Sequence, residues 1–209
     1  MSRESILLIG AGGHALACID VVEADGRFEI AGLVGSAAQV GESVLGHRVL
    51  GTDADLPALR ARVGHALVAV GQIKTHEPRR RIFEQLRVHG FDLPVIVSPR
   101  AYVSAHARVG AGSIVMHGAV VNARAAVGEN CILNSLSLIE HGATVDDHCH
   151  VSTGALVNGG AHVGACCFIG SGAAVREGVT VGEGSIIGMG QQVLRSCAAG
   201  SRLPQVAGA

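Results

Sequence analysis

Aromatic residues are scarce in this chain of 209 residues, which has four Phe, one Tyr and no Trp. Hydrophobic residues nevertheless make up 48% of it, which excludes a disordered chain. The sequence has no excess of either charge, since 16 Lys and Arg stand against 17 Asp and Glu, and this argues against nucleic acid or an anionic membrane as partner. No apolar run approaches the roughly 18 residues of a membrane span. A core with so few rings must be built from Val, Ile, Leu, Ala and Cys in tight, repeated layers.

The six cysteines do not have the arrangement of a disulfide framework. The chain is too long for a small disulfide-stapled fold, and the sequence shows no secretory leader. We therefore expect a soluble protein of a reducing, cytoplasmic compartment.

A six-residue repeat occupies the second half of the chain. From Val97 to Val193 an aliphatic residue recurs at every sixth position, seventeen times without a slip. The residue two places before it is nearly always small, and the residue just after it is often Gly or Asn, which we assign to corners. This period fits neither a helix nor an alternating strand. It fits a short strand and a corner repeated three times per turn, so that eighteen residues form one coil of a triangular solenoid.

One column of the predicted solenoid contains cysteines. Cys131, Cys149 and Cys167 are eighteen residues apart and so stack on successive coils. A disulfide or metal site is conceivable at this spacing. The column continues in Ser113 and Ser185, however, and we interpret it as packing of small, slightly polar side chains.

The first 95 residues lack the six-residue period and alternate strands with helices. Apolar runs predict strands at 5–10, 28–34 and 66–70, and helices are predicted at 14–25, 54–63 and 78–89. This alternation indicates an α/β unit with a parallel sheet. We predict two domains, residues 1–95 and 96–209.

A glycine-rich turn follows the first predicted strand. Gly10, Gly12, Gly13 and His14 open the first helix, where backbone N–H groups can approach phosphates. The second predicted strand ends in Gly35-Ser36, without the acid that binds the ribose of NAD. The pattern favours a diphosphate or nucleotide-sugar site over NAD; the alternative is a tight turn needed for packing alone.

A second polar cluster lies within the repeats, where most corners are Gly, Ala, Asn or Ser. It comprises Glu140, His141, Asp146, Asp147, His148 and His150. His141 comes two residues after an inward aliphatic residue and is predicted to project from a corner. Its imidazole suits proton abstraction near neutral pH, the alternative being a solvated surface histidine.

These segments resemble the sugar O- and N-acyltransferases related to sialic acid O-acetyltransferases and to bacillosamine and perosamine N-acetyltransferases. The resemblance covers nearly the whole chain and is carried by LLIGAGGHA, VLGTDADLP, SPRAYVSAHARVGAGSIVMHGAVVNARAAVGENCILN and SLIEHGATVDDHCHVSTGALVNG. It implies a Rossmann-like α/β domain that binds a sugar nucleotide, followed by a left-handed parallel β-helix. It also implies acetyl transfer from acetyl-CoA, as co-substrate, to an amine or a hydroxyl of a nucleotide-linked sugar or free amino sugar. No metal is expected, and the resemblance implies a homotrimer with CoA between subunits.

The resemblance also implies roles for particular residues. His141 is expected to be the general base. The position of the acid that usually follows it is Gly142 here, so either Glu140, Asp146 or Asp147 replaces that acid or the base is less activated. The resemblance assigns Gly159 and Ser171 to acetyl-CoA. It assigns His150 to the acetyl group, whose carbonyl His150 and backbone N–H groups are expected to polarise. It assigns Gly12, Gly13 and His14 to the nucleotide sugar, and the place of a usual Asp-Asp pair is taken by Gly35 and Ser36.

Three further expectations remain open at this point. Residues 202–205 replace a usual Gly-x-Pro-Ala segment of the CoA site. A metal-dependent hydratase of the γ-carbonic-anhydrase type is an alternative, with ligands from His117, His141, His148 and His150. A non-catalytic sugar-nucleotide scaffold is another alternative, suggested by Gly142.

Overall fold

The computed structural model describes residues 3–203, so Pro204 and Gln205 of the altered CoA segment lie outside the described residues. Contacts between Cα atoms divide the chain into two compact units. The chain up to Gly71 and Glu77–Val97 form the first unit, while Gln72–His76 and the chain from Ser98 onward form the second. The predicted domain boundary at 95/96 stays a prediction.

The first unit contains a mostly parallel sheet. The strands of this part of the chain are β1 (Glu4–Ile9), β2 (Phe28–Val34), β3 (Ser43–Val44), β4 (His47–Gly51), β5 (His65–Val68) and β6 (Ile96–Val97), of which β6 is not part of this sheet. Its helices are α1 (Gly13–Asp25), α2 (Leu56–Arg60) and α3 (Glu77–Val88). Five strands form one sheet in the order β3-β4-β2-β1-β5, in which only the β3–β4 pair is antiparallel among the described strands. The predicted α/β alternation is confirmed, and the β3–β4 hairpin is an addition that the sequence did not indicate.

The apolar strands and helix faces of this unit pack into one core. The buried cluster includes Leu7, Val34, Leu56 and Phe83. Arg79 on α3 is fully buried and donates hydrogen bonds to the carbonyls of Val68 (2.7 Å) and Val70 (2.9 Å). Its guanidinium therefore satisfies backbone acceptors where β5 ends, at the edge of the sheet where parallel strands present their carboxyl ends.

The second unit is the predicted solenoid. Its two-residue strands are β7 (Tyr102–Val103), β8 (Arg108–Val109), β9 (Ile114–Val115), β10 (Val120–Val121), β11 (Ala126–Val127), β12 (Ile132–Leu133), β13 (Leu138–Ile139), β14 (Thr144–Val145), β15 (His150–Val151), β16 (Leu156–Val157), β17 (His162–Val163), β18 (Phe168–Ile169), β19 (Ala174–Val175), β20 (Thr180–Val181), β21 (Ile186–Ile187), β22 (Gln192–Val193) and β23 (Arg202–Leu203). From β7 to β22 every third strand pairs in parallel, as in β7-β10-β13, and β23 pairs with β21, so three sheets form the sides of the coil. From β7 to β22 the paired residues are eighteen apart, as in Val121↔Ile139, which confirms the predicted coil length. The inward aliphatic residues are almost all buried from Val115 onward.

The corners differ in one respect from the sequence interpretation. The left-handed backbone conformation falls three residues after the inward aliphatic residue, as at Gly142 (φ 68) and Gly154 (φ 64), and not directly after it. Glycines directly after the aliphatic residue have another cause: a Cβ at Gly170 would lie 2.6 Å from the carbonyl carbon of Gly188 on the next coil. Close passage of successive coils, and not an unusual φ, therefore selects glycine there.

Candidate active site

The first unit has a cavity at the carboxyl ends of β1, β2 and β5. Its volume is about 580 Å³, and it contains all five residues that the sequence analysis assigned to the nucleotide sugar. Its lining includes Gly12, Gly13, His14, Gly35, Ser36, Gln39, Thr52, Asp53, Gly71 and Ile82. In parallel α/β sheets this edge is the usual ligand site.

The glycines of the turn serve two different purposes. Gly10 has φ 128, and a Cβ on it would lie 2.9 Å from the backbone of Ala69, so packing requires glycine there. Gly12 and Gly13 have no atom within 4 Å of a Cβ and do not adopt a left-handed φ. Packing alone therefore does not account for these two glycines, and the space in front of them is open to a ligand.

The start of α1 is suited to an anion. Gly12 is the N-cap residue and makes no side-chain cap, and the first turn carries no acidic residue. The first backbone N–H groups of a helix lack intrahelical partners and lie at the positive end of its dipole. His14 lies in this first turn and lines the cavity.

Gln39 orders the other side of the cavity and was missed in the sequence analysis. Its Oε1 accepts hydrogen bonds from the backbone N–H (3.1 Å) and hydroxyl (2.9 Å) of Ser36, and its Nε2 donates to the carbonyl of Ala11 (3.1 Å). It thus ties the end of β2 to the glycine-rich turn. Its position three residues after Ser36 is the spacing of a capping box, a signal that could have identified it.

His141 occupies an exposed corner after β13, as predicted. Its backbone N–H donates to Oε2 of Glu140 (2.8 Å), which lowers the pKa of that carboxyl, and the side chain of Asn122 contributes to the same shift. Glu140 therefore stays ionised beside His141 and stabilises the corner through the backbone. Gly142 has φ 68, the conformation of the other corners, so corner geometry explains glycine at this position.

Gly159 lies beside the imidazole of His141 on the next coil. A Cβ on Gly159 would lie 2.9 Å from Cε1 and 3.0 Å from Nε2 of His141. The absent side chain therefore leaves the room that the ring occupies. Gly159, assigned to the cofactor in the sequence analysis, is in contact with the predicted base.

Asp147 does not share the corner of His141 within this chain. It follows β14, whereas His141 follows β13, and its Oδ1 accepts the backbone N–H of Glu129 (2.7 Å) on the preceding coil. The neighbouring Asp146 accepts a hydrogen bond from His162 (2.8 Å). Glu140 is the acid that the structure places next to His141.

His150 is buried in β15, with 5% of its surface exposed. Its Nδ1 lies 2.6 Å from the carbonyl oxygen of Gln72, which can only accept, so Nδ1 carries the proton. Its Nε2 lies 3.2 Å from Nδ2 of Asn134. The backbone N–H of Ser135 donates to Oδ1 of Asn134 (2.8 Å), which fixes the amide with Nδ2 towards the ring.

These contacts assign His150 as a neutral ring that donates from Nδ1 and accepts at Nε2. In this tautomer Nε2 has no hydrogen to offer, so the arrangement does not fit the expected donation from His150 to a thioester carbonyl. The amide of Asn134 carries a second N–H that can serve as that donor. Asn134 was treated only as a corner residue in the sequence analysis.

Ser171 lies on the coil that follows Ser152, and their hydroxyls are 3.0 Å apart. Ser152 lies one coil of eighteen residues beyond Asn134, and Ser171 lies two coils beyond Ser135, in the same column of corners. The structure thus places Ser171 along the corner column that contains Asn134, and apart from the corner of His141.

The cysteine column is packing, as interpreted. None of the six cysteines, all of which lie within the described residues, forms a disulfide. The Cys149 thiol donates to the carbonyl of Gly164 (3.1 Å) on the next coil, as the Ser113 hydroxyl does to Gly128 (2.8 Å). Burial raises the pKa of the Cys149 thiol well above its usual value, which makes it a poor nucleophile.

The candidate metal ligands have other contacts within this chain. Residues 3–203 contain no group of three or more His, Cys, Asp or Glu side chains arranged to hold a metal. Nδ1 of His117 lies 2.5 Å from the hydroxyl of Ser98, and Nδ1 of His148 lies 3.0 Å from the amide of Asn130. Within the same residues, no helix is long and apolar enough to cross a bilayer.

The first unit matches a known domain family, the PglD N-terminal domain, over residues 5–86. Over the whole chain, the fold is similar to perosamine N-acetyltransferase from Caulobacter crescentus, solved as a His-to-Asn variant with CoA and GDP-perosamine. The two chains are 32% identical, with 99% of this chain and 96% of that one covered and a TM-score of 0.91. The chain belongs to the left-handed β-helix family of sugar acetyltransferases.

Two further solved structures are similar over nearly the whole chain. The acetyltransferase domain of PglB from Neisseria gonorrhoeae, solved with acetyl coenzyme A, is 32% identical over 96% of both chains, with a TM-score of 0.88. WeeI from Acinetobacter baumannii shares the fold at 20% identity, with 98% of both chains covered and a TM-score of 0.85. A comparison with the curated proteins found no match. Family membership confirms the predicted left-handed β-helix and the expected acetyltransferase class.

Proposed function

We propose that this enzyme transfers the acetyl group of acetyl-CoA to an amine of a nucleotide-linked sugar. The single observation that carries the proposal is the exposed imidazole of His141 at a solenoid corner, in the space that Gly159 leaves open. The family supports the reaction, since relatives at 32% identity are N-acetyltransferases or acetyltransferase domains solved with CoA or acetyl-CoA.

The cavity of the first unit is the proposed site of the nucleotide sugar. Its diphosphate would lie at Gly12 and Gly13, where uncapped N–H groups begin α1. His14 and Ser36 would offer polar groups to the ligand, and Gln39 holds the two sides of the cavity together.

In the proposed reaction, His141 accepts a proton from the sugar nitrogen as that nitrogen attacks the thioester carbonyl carbon. A C–N bond forms, the C–S bond breaks, and the sulfur leaves with the electron pair and takes up a proton as the CoA thiol. Asn134 and His141 lie at different corners of one chain, so a neighbouring copy in the homotrimer proposed below would bring them together. There the second N–H of Asn134 would stabilise the negative oxygen of the tetrahedral intermediate. No covalent enzyme intermediate is required, because the thioester is already activated.

We also propose that the enzyme is a homotrimer of a reducing compartment, the cytoplasm. Outward residues Tyr102, Val120, Leu138, Leu156 and Ala174 form an apolar column on the sheet that ends at the corner of His141. Tyr102 is 58% exposed and Leu156 36% exposed in the single chain, as expected for a surface that a second copy covers. Six cysteines without a disulfide suit a reducing compartment.

The test is release of the CoA thiol from acetyl-CoA across a panel of nucleotide amino sugars, with hydroxyl sugars and free sialic acids as further acceptors. Wild-type enzyme should release thiol with at least one amino sugar, and His141→Ala should lower kcat by about 100-fold or more, the usual contribution of a general base. His162→Ala is the matched control, since this histidine pairs with Asp146 on another part of the solenoid.

Equal rates for His141→Ala and wild type would remove His141 as the base. Nucleotide-sugar binding without thiol release from any acceptor would instead support the non-catalytic scaffold. Turnover with hydroxyl acceptors alone would show that the enzyme acetylates a sugar hydroxyl and not an amine.

A further inference from the structure

Gln72 belongs to a five-residue segment of the chain, Gln72–His76, that clusters with the solenoid although it lies between β5 and α3 in sequence. The residue is 2% exposed. Its Nε2 donates to the carbonyls of His148 (3.0 Å) and Cys167 (3.2 Å), which lie on successive coils. The side chain thus anchors this segment to the solenoid at two points.

The orientation of the Gln72 amide follows from these contacts. A reversed amide would place Oε1 against two carbonyl oxygens, none of which can donate. In the observed orientation Oε1 is buried and finds no hydrogen-bond partner among the residues that the structure describes. An unsatisfied buried acceptor is costly, so the two donated bonds are what hold the amide in this orientation.

The anchor ends on His150. The carbonyl of Gln72 accepts the hydrogen bond from Nδ1 of His150 at 2.6 Å, while its side chain binds the carbonyl of His148, two residues earlier in the chain. The ring of Phe168 lies edge-on to the imidazole, with 5.2 Å between ring centroids. Gln72 therefore fixes which nitrogen of His150 carries the proton, and Phe168 restricts the tilt of the ring.

We propose that Gln72 is a positioning residue for acetyl transfer. It holds His150 as the Nδ1–H tautomer, so that Nε2 accepts from Asn134 and directs the second N–H of that amide to the acetyl oxygen. The inference rests on the proposed function, which places Asn134 beside the acyl group. The chain from Gln72 through His150 to Asn134 consists of three hydrogen-bonded residues of which only the last touches substrate.

Two substitutions test the role of Gln72. Gln72→Glu keeps the shape but replaces the donor with an oxygen facing two carbonyls, and Gln72→Ala removes the side chain. Ile73→Ala is the matched control, because Ile73 is 64% exposed in the same segment. The readouts are kcat, KM for each substrate, the thermal midpoint, and ¹⁵N chemical shifts of the His150 ring, assigned by comparison with His150→Gln.

Wild-type enzyme should show a protonated Nδ1 and an unprotonated Nε2 at His150. Both Gln72 variants should show mixed or reversed tautomers and a kcat lowered by about 10-fold to 100-fold, as for other residues that orient a functional side chain. KM for the nucleotide sugar should not change, and Ile73→Ala should match wild type in every readout.

A wild-type Nε2–H tautomer would overturn the proposal. Gln72 variants that lower only the thermal midpoint, with unchanged tautomer and kcat, would also overturn it and leave a structural role. If wild-type enzyme releases no thiol, the proposed function fails, and the chemical shifts then decide by themselves whether Gln72 sets the tautomer of His150.

Discussion

Gly159 has no side chain, and this allows the imidazole of His141 to lie where it does. The imidazole lies where a side chain at position 159 would be, and no left-handed φ requires glycine there. Conformational freedom therefore does not explain this glycine, and proximity to the predicted base does.

Gly159→Ala should therefore fold normally and turn over slowly. The added methyl group would meet the ring of His141 at 2.9 Å, and the ring, as the end of a flexible side chain, can swing away. We expect a thermal midpoint close to that of wild type and a kcat lowered by about 10-fold or more, because misplacement of a base by about 1 Å costs up to a hundredfold. Steady-state thiol release and thermal melts measure the two effects.

Gly164→Ala provides the contrast. Its Cβ would lie 2.8 Å from the backbone nitrogen of Glu183, which cannot move aside, so this variant should lose stability. A Gly159→Ala enzyme with unchanged kcat would show that the ring of His141 does not need its observed place.

The structure changes the interpretation of Gly142, which stands where relatives usually have an acid. By sequence, the missing acid after His141 suggested a less activated base or a non-catalytic scaffold. Its φ of 68 is shared with corners throughout the solenoid, and Glu140 is ionised on the other side of His141. Glycine at position 142 is thus no argument against catalysis.

At the level of the elements, the six-residue period predicted the solenoid strands. Each short strand needs one inward aliphatic residue for the core, so the strands can be located from the sequence alone. The prediction assigned the left-handed conformation to the wrong residue, because glycine occurs at two positions of the repeat. Directly after the aliphatic residue it allows close passage of the next coil, and three residues after it glycine adopts the left-handed φ. Five described corners from residue 118 onward hold a residue other than glycine in the left-handed conformation, namely Arg124, Asn130, Leu136, His148 and Cys166. The sequence does not show that these five residues adopt the strained left-handed conformation; the structure does.

Leu136→Gly should relieve such strain. Leu136 has φ 61 and is 66% exposed, so little burial is lost when its side chain is removed. A left-handed conformation costs a side-chain-bearing residue about 1–2 kcal/mol, and glycine costs about 0.5–1 kcal/mol in the entropy of the unfolded chain. We expect a free energy of unfolding that is unchanged or raised by up to about 1 kcal/mol in urea titrations.

Leu136→Ala is the matched variant, since alanine removes the same apolar atoms but retains the Cβ that causes the strain. It should not be more stable than wild type. A larger gain from alanine than from glycine would contradict strain at this corner.

For the whole molecule, the sequence predicted both folds and five residues that line the cavity of the first unit, because local periodicity and a contiguous glycine-rich turn carry that information. It could not predict the contacts of Gln72 or the tautomer of His150. These depend on residues 78 positions apart. The separation of Asp147 from His141, in contrast, could have been predicted, because the six residues between them are one repeat and place Asp147 at the next corner.

Gly12→Val should separate the two substrate sites of the enzyme. Gly12 has an extended backbone (φ −95, ψ −167) that suits a β-branched residue, and no atom lies within 4 Å of its Cβ, so the fold should tolerate valine. The side chain would occupy the cavity before α1, where the diphosphate is proposed to bind.

The thermal midpoint measures whether each substrate still binds to this variant, because a ligand at 100 times its Kd stabilises a protein by about 2.7 kcal/mol. The nucleotide sugar should no longer raise the midpoint of Gly12→Val, whereas acetyl-CoA should raise it as in wild type. His141→Ala should show the opposite behaviour, with both ligand-induced shifts retained and turnover lost. Loss of both shifts in Gly12→Val would mean that the two substrates do not bind independently, and an undiminished shift with the nucleotide sugar would place its diphosphate elsewhere.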